Sequence, residues 1–182
     1  MESSVSLESW TARYARDPWG ESQWNLTHYQ PLFIRRIVQL GEHPDAARDA
    51  DRARILDNLS HDGGFVIGDE SLPLSDRMAV LDAMAVLVLR LGPGLPVAEN
   101  AFMFWDAAFV MEASLHTIRG HAFELLKAQL DSPDLDMQLG ALHGLNHLRH
   151  PETPKYIESI LPRLADESVR DYARSAATMT LV

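Results

Sequence analysis

The chain has 182 residues, with 26 acidic against 16 basic side chains and a formal net charge of −10. Hydrophobic residues make up 46% and charged residues 23%, which is enough for a packed core and excludes a disordered chain. Cysteine is absent, so disulfides and thiolate metal sites are excluded. The only lysines are Lys127 and Lys155, and no basic stripe marks a nucleic-acid surface. The most apolar stretch, residues 78–91, contains Asp82 and Arg90 and is too short to span a bilayer. The N-terminal MESSVSLESW lacks a basic region followed by an apolar run, so no secretory signal is expected and the predicted location is the cytoplasm.

The length suits one domain or one elongated array over 1–182. Residues 5–15 place Leu7, Trp10 and Tyr14 at helical spacing, and Trp10, Trp19 and Trp24 are expected to pack the start of the domain. A second helix is predicted over 31–40, with Pro31 in its first turn and Gly41 as its C-terminal cap. A third is predicted over 44–59. Residues 60–74 contain Gly63, Gly64, Gly68 and Pro73, and are expected to be irregular and to form an exposed recognition loop. A buried helix should follow over 76–91, capped by Ser75, with the GPGLP corner at 92–96.

From residue 97 on, helices are predicted to alternate with short turns. The segments are 97–117, 121–130, 134–149, 154–164 and 167–181, which makes about nine helices in all and no strand. The N-terminal helices (1–96) thus lead into a helix-pair array (97–182). Met137, Ala141, Leu145 and Leu148 share a helical face, and Val169, Ala173, Ala177 and Thr180 stand 32 residues later.

The residues from 134 to 177 resemble HEAT-like helical repeats of the bacterial type. The resemblance rests on an acidic turn, a helix with Ala141, Leu142, Gly144, Leu145 and Leu148, and a turn with Pro151 and Pro154. A second helix and an Asp166-Glu167-x-Val169-Arg170 start with Ala173, Ala176 and Ala177 complete it. It is clear over 131–182 and weak over 97–130. It implies an all-α solenoid of stacked antiparallel helix pairs. Proteins similar to it act mostly as scaffolds, adaptors or inhibitory partners, and small acidic examples as immunity or antitoxin-like proteins.

The chemistry on offer is histidine. His143, His147 and His150 are spaced i, i+4 and i+7, and the i, i+4 pair can present two imidazoles to one metal. They are expected on the helical face opposite Met137. His116, His121, Glu112 and Asp106 precede them. The iron enzymes among HEAT-like proteins use repeated His-Glu dipeptides, which this chain lacks, and there is no Glu-x-x-His pair. His61-Asp62 is followed at once by two glycines and does not read as a phosphohydrolase dyad. Asp131, Asp134 and Asp136 lack the glycine and terminal glutamate of a calcium loop and read as turn and cap residues. No nucleophile elbow, P-loop or dinucleotide fingerprint is present.

The leading expectation is therefore a non-enzymatic interaction module with no cofactor and no catalytic residue. Its partner would be another protein, of cationic character, and neither nucleic acid nor membrane; self-association stays open. The contact residues would be Trp105, Asp106, Glu112, His143, His147 and His150, provided the histidine face is exposed. The alternative is a metal-binding protein or metal-dependent enzyme using His143, His147, His150, His116 and His121.

Overall fold

A computed structural model of the chain describes residues 5–16, 26–48, 50–95, 102–109, 115–164 and 166–178. Trp19, Trp24, Asn100, Glu112 and Thr180 lie outside them. The described residues form nine α-helices and no strand: α1 (Leu7–Arg16), α2 (Leu26–Glu42), α3 (Arg52–Gly68), α4 (Leu74–Leu91), α5 (Phe104–Ala108), α6 (Arg119–Gln129), α7 (Leu135–Leu148), α8 (Thr153–Ile160) and α9 (Glu167–Ala177). Short 3-10 turns cover Pro44–Ala47 and Leu161–Arg163. None of these helices is long and apolar enough to cross a membrane.

The first half packs α1 on α3, and both α2 and α3 on α4. Its buried core includes Ile37, Leu40, Ile55, Leu56, Leu59, Val80, Leu81, Met84 and Leu87. In the second half α6 packs on α7, α7 on α9 and α8 on α9. The short α5 touches both α3 and α7, and α4 touches α6, so the halves share one core.

Several boundaries differ from the sequence reading. Gly63 and Gly64 do not break a helix; α3 runs through them to Gly68, and only residues 69–73 are irregular. Both glycines are contact positions. A Cβ on Gly63 would lie 2.6 Å from Met84 Sδ, and one on Gly64 would lie 3.0 Å from the Ala108 backbone. The cost of glycine in a helix is thus offset by close approach of α4 and α5. Of the expected loop residues, Val66 and Ile67 are buried and Phe65 is exposed.

Gly41 likewise does not end its helix. It lies within α2, where a Cβ would stand 2.8 Å from Ala83 Cβ on α4. Pro31 is inside α2, because the helix starts at Leu26. Helix α3 begins at Arg52, after the separate turn at Pro44–Ala47. Its N-cap Asp51 accepts from the Arg54 amide at 3.1 Å. Ser75 does not cap α4. Pro73 stands there, and its carbonyl accepts from the Asp76 and Arg77 amides.

The expected helix over 97–117 is, among the described residues, the five-residue α5 followed by a tight turn around Leu115–Ile118. The buried Arg77 holds that turn. Its Nε donates to the Ile67 carbonyl at the end of α3 at 2.7 Å, and its Nη1 to Thr117 Oγ1 at 3.1 Å. Gly120 falls in the first turn of α6.

Helices α7 and α9 start on matching caps. Asp134 Oδ1 accepts from the Asp136 and Met137 amides at 3.0 and 3.1 Å. Asp166 Oδ1 accepts from the Ser168 and Val169 amides at 2.8 and 3.3 Å. These carboxylates satisfy amide donors that the first helical turn leaves free. Met137, Ala141, Leu145 and Leu148 are buried, as are Val169 and Ala173, while Ala177 is half-buried. Helix α7 closes with Arg149 in the left-handed region at φ 49°.

Candidate metal centre

Helix α7 is buried around its circumference, not on one face. Every residue from Gly140 to Asn146 is buried, because α5, α6 and α9 all pack on it. The histidine face is therefore not a free surface. His143 is 4% exposed.

Helix α5 reaches α7 through Trp105, which is 1% exposed. Gly144 supplies the room: a Cβ there would lie 2.7 Å from Trp105 Cβ. The indole Nε1 donates to Gln129 Oε1 at 2.8 Å, and Gln129 Nε2 donates to the Met137 carbonyl at 3.0 Å. Phe109 stacks on the indole, with centroids 5.2 Å apart. With Trp105 seated in this way, its neighbour Asp106 stands beside the exposed end of the His143–His147 pair.

Asp106, His143 and His147 each present one ligand atom, and the three atoms lie within 4.8 Å of one another. The two imidazoles are one helical turn apart, with centroids separated by 4.6 Å. His147 Nε2 lies 3.1 Å from Asp106 Oδ1. That approach lacks hydrogen-bond geometry, and the Nε2 atoms of both His143 and His147 are buried with no hydrogen-bond partner. Buried ring nitrogens are ordinarily hydrogen-bonded, so two that lack such a bond in a cluster with a carboxylate need an explanation.

The outer side of His143 is satisfied. Its Nδ1 is 2.6 Å from the Tyr172 hydroxyl on α9. Phe102 covers both rings, at 4.7 Å from His143 and 5.7 Å from Tyr172. Burial, and then the neighbouring His147, lower the His143 pKa, against the opposing pull of Asp106. A neutral imidazole is the form that binds metal. Burial, with Asp106 behind it, pushes the Tyr172 phenol up to about 12, so it stays protonated. If His143 Nδ1–H donates to the Tyr172 oxygen, Nε2 keeps its lone pair free for a metal.

The other candidate histidines do not join this cluster. His116 pairs with Glu70 at 3.1 Å, and both side chains are more than half exposed. His121 Nε2 is 2.6 Å from Asp82 Oδ1. His150 stacks on Phe123 at 4.2 Å, and its Nδ1 accepts from the Glu152 amide at 3.3 Å. The five-histidine site therefore resolves into one pair and three separately satisfied rings. The expected contact surface also dissolves: Trp105 and His143 are core residues, Asp106 and His147 are partly exposed, His150 is half-buried and Glu112 lies outside the described residues. Asp131 pairs with Arg163 at 3.0 Å and Asp134 caps α7, so neither serves a calcium loop.

Comparison with known proteins returned no match: no family model, no curated protein and no solved structure aligns with this chain. The functional reading therefore stands on the geometry alone. Sequence reasoning missed Tyr172 and Phe102, whose roles arise only from the packing of α9 and the residues before α5 against α7. The i, i+4 spacing of His143 and His147 was the legible signal.

Proposed function

We propose that this all-helical protein binds a divalent first-row transition ion through Asp106, His143 and His147. The observation that carries the reading is the gathering of one ligand atom from each of Asp106, His143 and His147 within 4.8 Å, with both Nε2 atoms buried and without a hydrogen bond. Two imidazoles and a carboxylate suit zinc and its neighbours better than calcium or magnesium, which prefer all-oxygen sets. Bonds of about 2.0–2.2 Å in a tetrahedral set place donors roughly 3.4 Å apart. His147 and Asp106 are already near that separation, and binding would draw His143 inward.

The wider frame of this proposal is a HEAT-like array of stacked helix pairs. It is supported by the matching Asp134 and Asp166 caps and by the packing of α3 on α5, α5 on α7, and α7 on α9. In that frame the site joins three successive layers. Untagged protein should bind one equivalent of zinc. Asp106→Asn and His147→Ala should abolish binding while keeping the helical circular dichroism. Folded wild-type protein that takes up no stoichiometric zinc would refute the proposal.

A second reading, an adaptor or immunity-like module for a cationic protein, is supported by the net charge of −10. Association with such a partner should weaken as salt rises. Affinity independent of salt would remove the electrostatic basis of that reading.

A further inference from the structure

This inference rests on the proposed metal site and concerns what completes its coordination. Among the described residues, three side chains converge there. Closed structural zinc sites use four protein ligands, whereas sites with three keep a position for water or substrate. The surroundings are lopsided. Phe102 and Tyr172 wall the His143 side, and His143 itself is 4% exposed. The Asp106 side chain remains 35% exposed whereas the Nε2 atoms of both histidines are buried, so the solvent edge of the cluster is the Asp106 carboxylate.

Charge points the same way. Two neutral imidazoles and one carboxylate leave one positive charge of a divalent ion uncompensated. An anionic oxygen donor would neutralise it at the solvent edge. We infer that the Asp106–His143–His147 centre is an open site, whose fourth position faces solvent beside Asp106 and takes water or a small oxyanion such as a carboxylate.

The chemistry available at such a position is exchange of the bound water for an anion, with no bond broken in the protein. Tyr172 acts here as a positioning residue: it holds the His143 ring and does not reach the open coordination edge.

The test replaces zinc with cobalt(II) in the full-length protein and follows the visible absorption during titration with acetate and with azide. The expected result is an intense four-coordinate spectrum that shifts saturably with either anion, at one site per chain. An intense spectrum unmoved by both anions would overturn the open position while leaving the metal site standing. A weak, six-coordinate spectrum that still responds to anions would also overturn it, because more than one position would then be open. Failure to bind cobalt(II) or zinc at all would overturn both this inference and the proposal beneath it. His147→Ala serves as the control and should show neither spectrum nor anion response.

Discussion

Trp105 donates its indole proton to Gln129 across the junction of α5 and α6, at 2.8 Å. Gln129 in turn donates to the Met137 carbonyl in α7. One buried amide therefore ties three helices together and sets where Asp106 stands. Replacing Gln129 with Leu strands both the indole donor and the glutamine's place at Met137. An unsatisfied buried group costs about 1–3 kcal/mol. Urea denaturation should show a loss of that order, together with weaker zinc binding. Unchanged stability would mean that the Trp105–Gln129 bond does not hold α5.

Gly144 and Gly120 make a matched pair. A Cβ on Gly144 would meet Trp105 Cβ at 2.7 Å and Leu126 Cδ2 at 2.9 Å, whereas one on Gly120 would meet nothing within 4 Å. Gly144→Ala should destabilise by about 1–3 kcal/mol through overpacking. Gly120→Ala, in the first turn of α6, should stabilise by about 0.4–1 kcal/mol by restricting the unfolded chain. Thermal melts of the two variants moving in the same direction would contradict this packing.

Asp62 on α3 is a buried carboxylate, accepting from the Tyr14 hydroxyl of α1 at 3.1 Å. Burial raises its pKa to about 6, against smaller downward pulls from Tyr14 and His61. Its folded pKa lies above the unfolded value. Its contribution to stability is thus fully present below about pH 4 and is lost as pH rises through 6. Two pKa units correspond to about 2–3 kcal/mol. Asp62→Asn keeps an acceptor for Tyr14 and removes the charge. It should be more stable than the wild type at pH 7, with the advantage shrinking to little near pH 4. A difference that is constant between those pH values would show that Asp62 does not titrate in this way.

Tyr172→Phe removes the oxygen that fixes His143 and keeps the ring packed under Phe102. Loss of an outer partner of a metal-binding histidine typically weakens affinity about 10–100-fold. Competition with a chromogenic chelator should show this for zinc, with the melting temperature of the metal-free protein shifted far less. An unaltered zinc affinity would remove Tyr172 from the site.

The helical class and the position of most helices could be read from periodicity, because an apolar stripe at 3.6 residues is a local property of the chain. Met137, Ala141, Leu145 and Leu148 lie where that stripe puts them. Glycine was the weak point. Gly41, Gly63 and Gly64 read as stops from local propensity, yet each sits inside a helix where a neighbour comes too close for a Cβ. Propensity carries only about 1 kcal/mol per glycine, and tertiary packing outweighs it.

The candidate site divides in the same way. The sequence by itself determined an acidic, cysteine-free, all-helical chain and a His143–His147 pair one turn apart, since composition and i, i+4 spacing need no partner helix to be seen. Tertiary structure alone decided that His116, His121 and His150 would pair off elsewhere, that Trp105 would be core, and that Asp106 and Tyr172 would meet those two imidazoles. These are contacts between segments far apart in the chain. Their physical cause is the packing of α5 and α9 onto α7, which no local pattern encodes.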